Sequence, residues 1–269
     1  MHRAVARASD VRFDWRSDFE PSLLPPMSDS TNVFLLLLLG LTAMLYASVG
    51  HGGASGYLAI MAFLGVSASV MRPTSLMLNV LVSTLATIAF IQAKCFRWNL
   101  LWPFILLSIP GAFLGGRWSL AQTSFMAMVG LTLLVAAVRM FLPQRDEPTR
   151  KPPIVCAILS GGLIGVFSGL VGVGGGIILT PLIILFRWAT PSQAAAVSAP
   201  FILLNSLAAI GGLATQGFGV PPWLPAACLS VVIGGWIGAK WSTRHATPES
   251  LRRILGVILI IASVKCFVL

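Results

Sequence analysis

The chain has 269 residues, of which 57% are hydrophobic and only 10% are charged. A soluble domain usually carries about 25% charged residues, so this composition excludes an ordinary soluble protein and predicts a polytopic membrane protein. The net charge of +10 does not indicate a nucleic-acid partner, because Lys and Arg lie in short segments between apolar runs and form no basic face.

The first 28 residues differ in kind from the rest of the chain. Four arginines alternate with acidic residues, and three prolines follow them. A segment of this composition cannot bury enough apolar surface to fold by itself. We therefore expect residues 1–28 to form a polar, disordered tail without a function of its own, and Met27 is an alternative start of the chain.

Five apolar segments follow the tail. They cover about 33–49, 57–66, 74–93, 100–114 and 125–142. The first two are separated by a glycine-rich break, Val49 to Ala54, and neither reaches the roughly 20 residues that a transmembrane helix needs. The third is expected to begin after Arg72-Pro73, since proline suits the first turn of a helix.

A charged, proline-rich linker at 143–153 divides the chain, because it cannot be helical throughout. The apolar segments after it repeat the order of the first five. They cover about 154–170, 177–186, a helix that starts near 190, 223–239 and 251–267. Thr190 is a predicted N-cap, with Pro191 in the first turn and Gln193 completing a capping box.

The glycine-rich break occurs twice. Its second copy is Val171 to Gly176, and Gly172 follows Gly50 by 122 positions (172 − 50). Phe96 and Phe218 have the same spacing (218 − 96). The chain is therefore one unit written twice, and paired glycine-interrupted segments in a transporter indicate where its binding site lies.

The loop charges predict how the two units are oriented. If each break is the tip of a hairpin that returns to its own side of the membrane, three further crossings follow in each unit, and the second unit is inverted. With the N-terminus outside, the positive-inside rule is satisfied by eleven cytoplasmic basic residues: Lys94, Arg97, Arg139, Arg145, Arg150, Lys151, Arg187, Lys240, Arg244, Arg252 and Arg253. The alternative treats each broken segment as a single crossing and gives parallel repeats. It divides these basic residues nearly evenly between the two sides of the membrane, which violates the positive-inside rule.

The predicted fold is thus an all-α polytopic membrane protein with two inverted-topology repeats. The first repeat covers 29–142 and the second covers 154–269. Each is expected to consist of a glycine-broken hairpin of two short helices followed by three transmembrane helices.

The two breaks also predict an anion site. Non-helical backbone inside a membrane must line a cavity or be buried in protein, and the helix that begins after each break offers free N–H groups at its positive end. The predicted binding residues are Gly50, His51, Gly52, Gly53, Ser55, Gly172, Gly174, Gly175 and Gly176. The alternative is that glycines permit close helix packing, and we adopt that interpretation for the GxxxG pairs Gly111–Gly115 and Gly234–Gly238.

Polar side chains on the helices after the breaks extend the predicted site. Ser75 and Asn79 lie on one helix face, and Ser198 shares a face with Asn205 in the second unit. An asparagine inside a membrane is costly unless it is hydrogen-bonded. Ligand contact and helix–helix hydrogen bonding are therefore both open for Asn79 and Asn205.

Two further residues near the breaks have alternative roles. His51 could titrate near neutral pH and couple transport to protons, or it could be a neutral residue bonded to backbone. Arg72 could touch substrate, contact lipid or lie in a loop. Neither residue belongs to a recognisable catalytic constellation.

Acidic and thiol groups exclude several classes of function. The chain has eight Asp and Glu in all, and none falls within a predicted span, which argues against an enzyme, a carboxylate-relay pump or a carboxylate-binding cation transporter. Four cysteines form no CxxC pair. We therefore expect no metal site and no cofactor.

Several motifs of the second unit form a characteristic set: Gly172 to Gly176, Pro181, Thr190 to Ser198, and Gly234-Gly235-x-x-Gly238 with Lys240-Trp241. This set resembles the sulfite exporter TauE/SafE family, also called the toluene sulfonate uptake permeases, over residues 33–269. The resemblance implies a multi-pass permease of the bacterial inner membrane that exports sulfite, an organosulfonate or a related sulfur oxyanion. We expect contact with membrane lipid and a homodimer as further partners. The alternatives are an uncoupled anion channel and a membrane scaffold without transport activity.

Overall fold

The computed structural model describes residues 29–47, 52–141, 150–242 and 249–268. These residues form ten α-helices and contain no β-strand. The helices are α1 (Asp29–Ala47), α2 (Ala54–Phe63), α3 (Ala68–Gln92), α4 (Trp98–Arg117), α5 (Gln122–Phe141), α6 (Ile154–Val171), α7 (Gly176–Leu185), α8 (Pro191–Ala214), α9 (Leu224–Ser242) and α10 (Glu249–Val268). The predicted tail and linker residues 143–149 lie outside this set, so those predictions stay predictions.

The first five helices match the last five in order and length. α1 and α6 have 19 and 18 residues, α2 and α7 have 10 each, and α3 and α8 have 25 and 24. By length and composition, α3, α4, α6 and α8 are the described helices that are long and apolar enough to cross a membrane. The first helix of each hairpin was expected over about 33–49 and 154–170, and the structure has it at Asp29–Ala47 and Ile154–Val171.

Helix α3 begins earlier than expected. It starts at Ala68, after Ser67 in extended conformation, and Pro73 lies inside it. A proline near the start of a helix costs little, since the carbonyl of Ser69 loses its usual partner but the rest of the helix is intact. The predicted start of α8 is confirmed: Gln193 N donates to Thr190 Oγ1 at 3.4 Å, and Thr190 N donates to Gln193 Oε1 at 3.5 Å.

The GxxxG pairs are packing surfaces, as predicted. A Cβ atom on Gly111 would lie 2.8 Å from the carbonyl oxygen of Gly162, and one on Gly115 would overlap the carbonyl of Val166. Likewise, a Cβ on Gly234 would overlap the carbonyl of Gly40. Glycine therefore lets α4 approach α6 closely, and α9 approach α1.

Contacts along these two helix pairs give their relative directions. Gly161 and Gly169 of α6 pack against the carbonyls of Phe104 and Ala112 of α4, so α4 and α6 are parallel. Along α1 and α9, the hydroxyl of Ser230 donates to the carbonyl of Leu36 at 2.6 Å. Gly238 packs against Met44 further along both helices, so α1 and α9 are also parallel.

Helices α3 and α8, which occupy equivalent positions in the two groups, run in opposite directions. Near the start of α3, Leu76 packs with Leu213 near the end of α8. Near the end of α3, Phe90 packs with Ala195 near the start of α8. Asn79 of α3 and Ile202 of α8 lie between these two contacts in the sequence, and both breaks approach these residues.

Candidate functional site

Each break joins two helices through glycines in left-handed conformation. Gly53 is the N-cap of α2 with φ 83°, and Gly175 is the N-cap of α7 with φ 81°. Between α6 and α7, Gly172 and Gly174 also have positive φ, 83° and 74°. Glycine adopts this conformation without the steric cost that a Cβ brings. Gly50 and His51 lie outside the described residues, so their predicted roles stay predictions.

The two breaks converge on the same pair of side chains. A Cβ on Gly52 would overlap Asn79 Oδ1 and lie 2.9 Å from Ile202 Cγ2. A Cβ on Gly174 would lie 2.7 Å from Asn79 Nδ2 and 2.7 Å from Ile202 Cγ2. Asn79 and Ile202 therefore lie between the breaks and fill the space that separates them.

Side chains of α3 hold the second break in place. Asn79 Nδ2 donates to the carbonyl of Val173 at 3.1 Å, and the hydroxyl of Ser75 donates to the carbonyl of Gly172 at 3.0 Å. Both side chains are fully buried. Asn79 Oδ1, the atom that faces Gly52, has no hydrogen-bond partner among the described residues. A single amide thus binds one break and contacts the other.

Three buried hydroxyls without a partner border the same region. Ser206 Oγ lies 3.0 Å from the Cβ position of Gly174, and Tyr57 Oη lies 2.7 Å from that of Gly53. The Cβ of Ser168 is 3.5 Å from the Cβ position of Gly175. None of the three hydroxyls makes a hydrogen bond within the part of the chain that the structure describes. Buried polar groups are normally paired, so these hydroxyls are available to a ligand or to water.

Sequence reasoning did not select these hydroxyls, although one could have been found. Helix α8 follows α3 by 123 positions (191 − 68). At that spacing Ser75 corresponds to Ser198, and Asn79 corresponds to Ile202. Ser83 then corresponds to Ser206, which therefore follows from the repeat. Tyr57 and Ser168 have no such signal, because only the folded hairpins bring them to the breaks.

Backbone donors complete the arrangement at the second break. Within the described residues, no acceptor binds the N–H groups of Gly174, Gly175 or Gly176. Free N–H groups at a helix start carry the positive end of the helix dipole. The start of α7 therefore offers donors beside neutral hydroxyls, which is the chemistry that an anion requires.

The other predicted side chains bond between helices. Ser198 and Thr180 share a hydrogen bond of 2.7 Å, and the Ser198 Cβ lies 3.8 Å from the Cβ position of Gly176. Ser55 Oγ donates to Tyr46 Oη at 2.9 Å. Asn205 Oδ1 accepts from Ser108 Oγ of α4 at 2.5 Å, whereas its Nδ2 has no partner among the described residues. This bond supports the helix-packing alternative for Asn205, and its ligand role stays a prediction.

Arg72 is neither a loop residue nor a lipid contact. Only 7% of it is exposed, and its guanidinium donates to four carbonyls at the ends of two helices. The acceptors are Gly169 (3.0 Å from Nε and 2.6 Å from Nη2), Trp118 (2.8 Å), Gly116 (2.9 Å) and Gly115 (2.5 Å). Carboxyl ends of helices carry partial negative charge. They therefore stabilise this cation without a carboxylate, and Arg72 fixes α3 to α4 and α6.

Comparisons with known proteins show which family the chain resembles. A family model described as "Sulfite exporter TauE/SafE" matches residues 35–266. "Probable membrane transporter protein y4hK" of Sinorhizobium fredii is 35% identical over 243 residues, which are 88% of this chain and 98% of that protein. "Probable membrane transporter protein YunE" of Bacillus subtilis is 26% identical over 261 residues, covering 84% of this chain and 94% of that protein. No solved structure matches the chain.

Proposed function

This chain belongs to the sulfite exporter TauE/SafE family, and from that premise we propose that it is a secondary transporter which exports sulfite, an organosulfonate or a related small sulfur oxyanion across the bacterial inner membrane. Family and relatives identify a multi-pass membrane transporter and not an enzyme. The proposal concerns the cargo, the direction of transport and the membrane in which the protein lies.

The convergence of both breaks on Asn79 carries the proposal. The unpartnered hydroxyls of Tyr57, Ser168 and Ser206 border the two breaks, and the start of α7 adds free N–H groups. An oxyanion that leaves water must regain hydrogen bonds from donors, and neutral donors hold it without trapping it as a fixed cation would. An uncharged donor set suits a substrate that has to be released again.

Filled space between the breaks favours a carrier over a channel. Asn79 and Ile202 occupy this space, so an anion can bind only after the breaks separate. That requirement fits alternating access, in which one repeat moves against the other around a fixed site. Each buried polar group without a partner destabilises the fold by about 1–3 kcal/mol. Binding of a substrate explains why such groups are present, whereas a scaffold role does not.

Inverted topology of the two repeats is part of the proposal. The opposite directions of the equivalent helices α3 and α8 support it. In this arrangement the repeats cover 29–142 and 154–269, and the linker at 143–153 is cytoplasmic. The extracellular face then holds the end of α8, where Gln216 donates to the carbonyl of Arg117.

Cysteine labelling tests the inverted arrangement. With the four native cysteines replaced by alanine, Lys151→Cys and Val220→Cys are expected to react with a membrane-impermeant maleimide from opposite faces. Both positions are exposed. Phe186→Cys is the matched control. Arg150 N donates to the carbonyl of Arg187 at 2.6 Å, so Phe186 and Lys151 lie on the same side of the membrane, and the two cysteine variants must label from the same face. Labelling of Lys151→Cys and Val220→Cys from one face would contradict inversion.

Substitution of Asn79 tests the site. We expect Asn79→Asp to weaken sulfite binding by roughly ten- to a hundredfold, because a hydrogen bond to a charged group contributes about 1.5–3 kcal/mol and a carboxylate repels an anion. Asn205→Asp is the comparison variant, since Asn205 is equally buried but bonds to Ser108, and the helix-packing interpretation of Asn205 predicts that this variant keeps its sulfite response. The measurement is the rise in melting temperature that sulfite produces in each purified variant.

Two results would count against the site. If sulfite stabilises Asn79→Asp as strongly as the wild type, Asn79 does not contact the substrate. If both Asp variants lose the sulfite response to the same degree, the loss is not specific to Asn79. The experiment then gives no support for a site between the breaks.

A further inference from the structure

A cavity lies between α1, α2 and α10, apart from the space between the breaks. Its volume is about 310 Å³, and its walls are apolar apart from Thr42 and Tyr46. Leu38 and Leu41 line it from α1, Phe63 lines it from α2, and Ile261 lines it from α10. Leu41, Phe63 and Ile261 are also exposed at the surface of the helix bundle. The cavity is therefore open to whatever surrounds the membrane-spanning helices.

The lining decides what can occupy this cavity. It could contain about ten water molecules at roughly 30 Å³ each, yet cavities with walls of this kind stay dry and bind apolar molecules. The apolar material beside a membrane-spanning helix is the acyl chain of a lipid. An acyl chain that enters between α1 and α2 would fill the space that water leaves empty.

A cation lies at one end of the cavity. Lys265, in the last turn of α10, donates a hydrogen bond from Nζ to the carbonyl of Phe63, and Nζ lies 4.6 Å from the centre of the Phe63 ring. Lysines near the end of a membrane helix extend toward the lipid headgroups. The apolar cavity matches the acyl chain of a phospholipid, and the basic residue at its rim matches the phosphate.

We propose that this cavity binds one acyl chain of an anionic phospholipid whose phosphate contacts Lys265. The bound chain lies against Tyr46 and Gly56, which line the cavity. Gly56 is in the first turn of α2, so the bound acyl chain supports the hairpin that forms the first break. The inference does not depend on which anion is transported.

Native mass spectrometry of the purified full-length protein, titrated with phosphatidylglycerol, tests the proposal. We expect one saturable lipid adduct for the wild type and at least a tenfold weaker one for Leu41→Trp, which fills the cavity from its rim. Leu37→Trp is the matched control: Leu37 is 66% exposed on the same helix, Leu41 is 50% exposed, and only Leu41 lines the cavity. Lys265→Gln is expected to bind about fivefold more weakly, because a basic residue near a membrane surface contributes about 1 kcal/mol.

Ile261→Trp fills the same cavity from α10 and serves as a second variant if Leu41→Trp does not fold. Equal lipid binding by the wild type and either cavity-filling variant would overturn the proposal. Saturation by glycerol phosphate alone would overturn it too, because the acyl chain would then be unnecessary. A wild-type dimer that Leu41→Trp converts to a monomer would show that a second copy of the chain covers the cavity instead.

Discussion

Replacing Gly174 with alanine is expected to slow sulfite transport strongly, whereas Gly65→Ala is expected to leave it close to the wild-type rate. Both glycines have φ 74°, so the backbone strain that a Cβ introduces is the same. Their surroundings differ: a Cβ at Gly174 meets Asn79 Nδ2 and Ile202 Cγ2 at 2.7 Å, and a Cβ at Gly65 meets nothing within 4 Å. The comparison therefore isolates the space between the breaks from the conformational preference of glycine.

The expected loss for Gly174→Ala is roughly five- to a hundredfold, because overpacking costs about 1–3 kcal/mol and each 1.4 kcal/mol is a factor of ten. Uptake of sulfite by proteoliposomes gives the rate, and gel filtration of both variants establishes that they are folded. Equal losses in the two variants would mean that strain rather than the occupied space is responsible. Normal transport by Gly174→Ala would remove the second break from the site.

Replacing Arg72 with glutamine is expected to destabilise the protein by about 3–5 kcal/mol. The substitution removes a buried cation from four carbonyls, and each buried acceptor left without a partner costs about 1–3 kcal/mol. Glutamine retains two donors on one nitrogen and cannot reach all of these carbonyls. At about 2–4 °C per kcal/mol for a chain of this size, the melting temperature should fall by roughly 10 °C.

Arg117→Gln is the matched control for Arg72→Gln. It removes the same charge at the end of α4, but Arg117 is exposed. We expect it to change the melting temperature by no more than about 2 °C, since an exposed charge contributes little. If Arg72→Gln has the same melting temperature as Arg117→Gln but no longer binds sulfite, Arg72 contacts the substrate. The interpretation that Arg72 only binds carbonyls at the helix ends is then wrong.

Local patterns predicted the helices well because hydropathy, glycine clusters and capping residues act within a few positions of the chain. The capping box at Thr190 and Gln193 is of this kind, and so are the GxxxG pairs. Pro73 predicts too late a start for α3, because the turn that begins at Ala68 and precedes the proline is also helical. A proline so near the start of a helix interrupts few hydrogen bonds, so the helix continues through it.

The site could be predicted only in part because it depends on contacts between distant residues. Asn79 and Asn205 look alike in the sequence, yet the first faces both breaks and the second faces α4. Arg72 lies 97 positions from its acceptor Gly169, and no local pattern links them. Residues so far apart are joined by the way in which α3, α4, α6 and α8 pack, which hydropathy and periodicity do not encode.

Transport by the purified protein in proteoliposomes tests the central claim most directly. The panel comprises sulfite, an organosulfonate, thiosulfate and sulfate, each offered as labelled anion to vesicles loaded with the same unlabelled anion. The account predicts saturable counterflow of sulfite, of the organosulfonate or of both, and its strong reduction in Gly174→Ala but not in Gly65→Ala. Flux that rises linearly with concentration would indicate a channel, and the absence of flux for every anion would contradict a sulfur-oxyanion carrier.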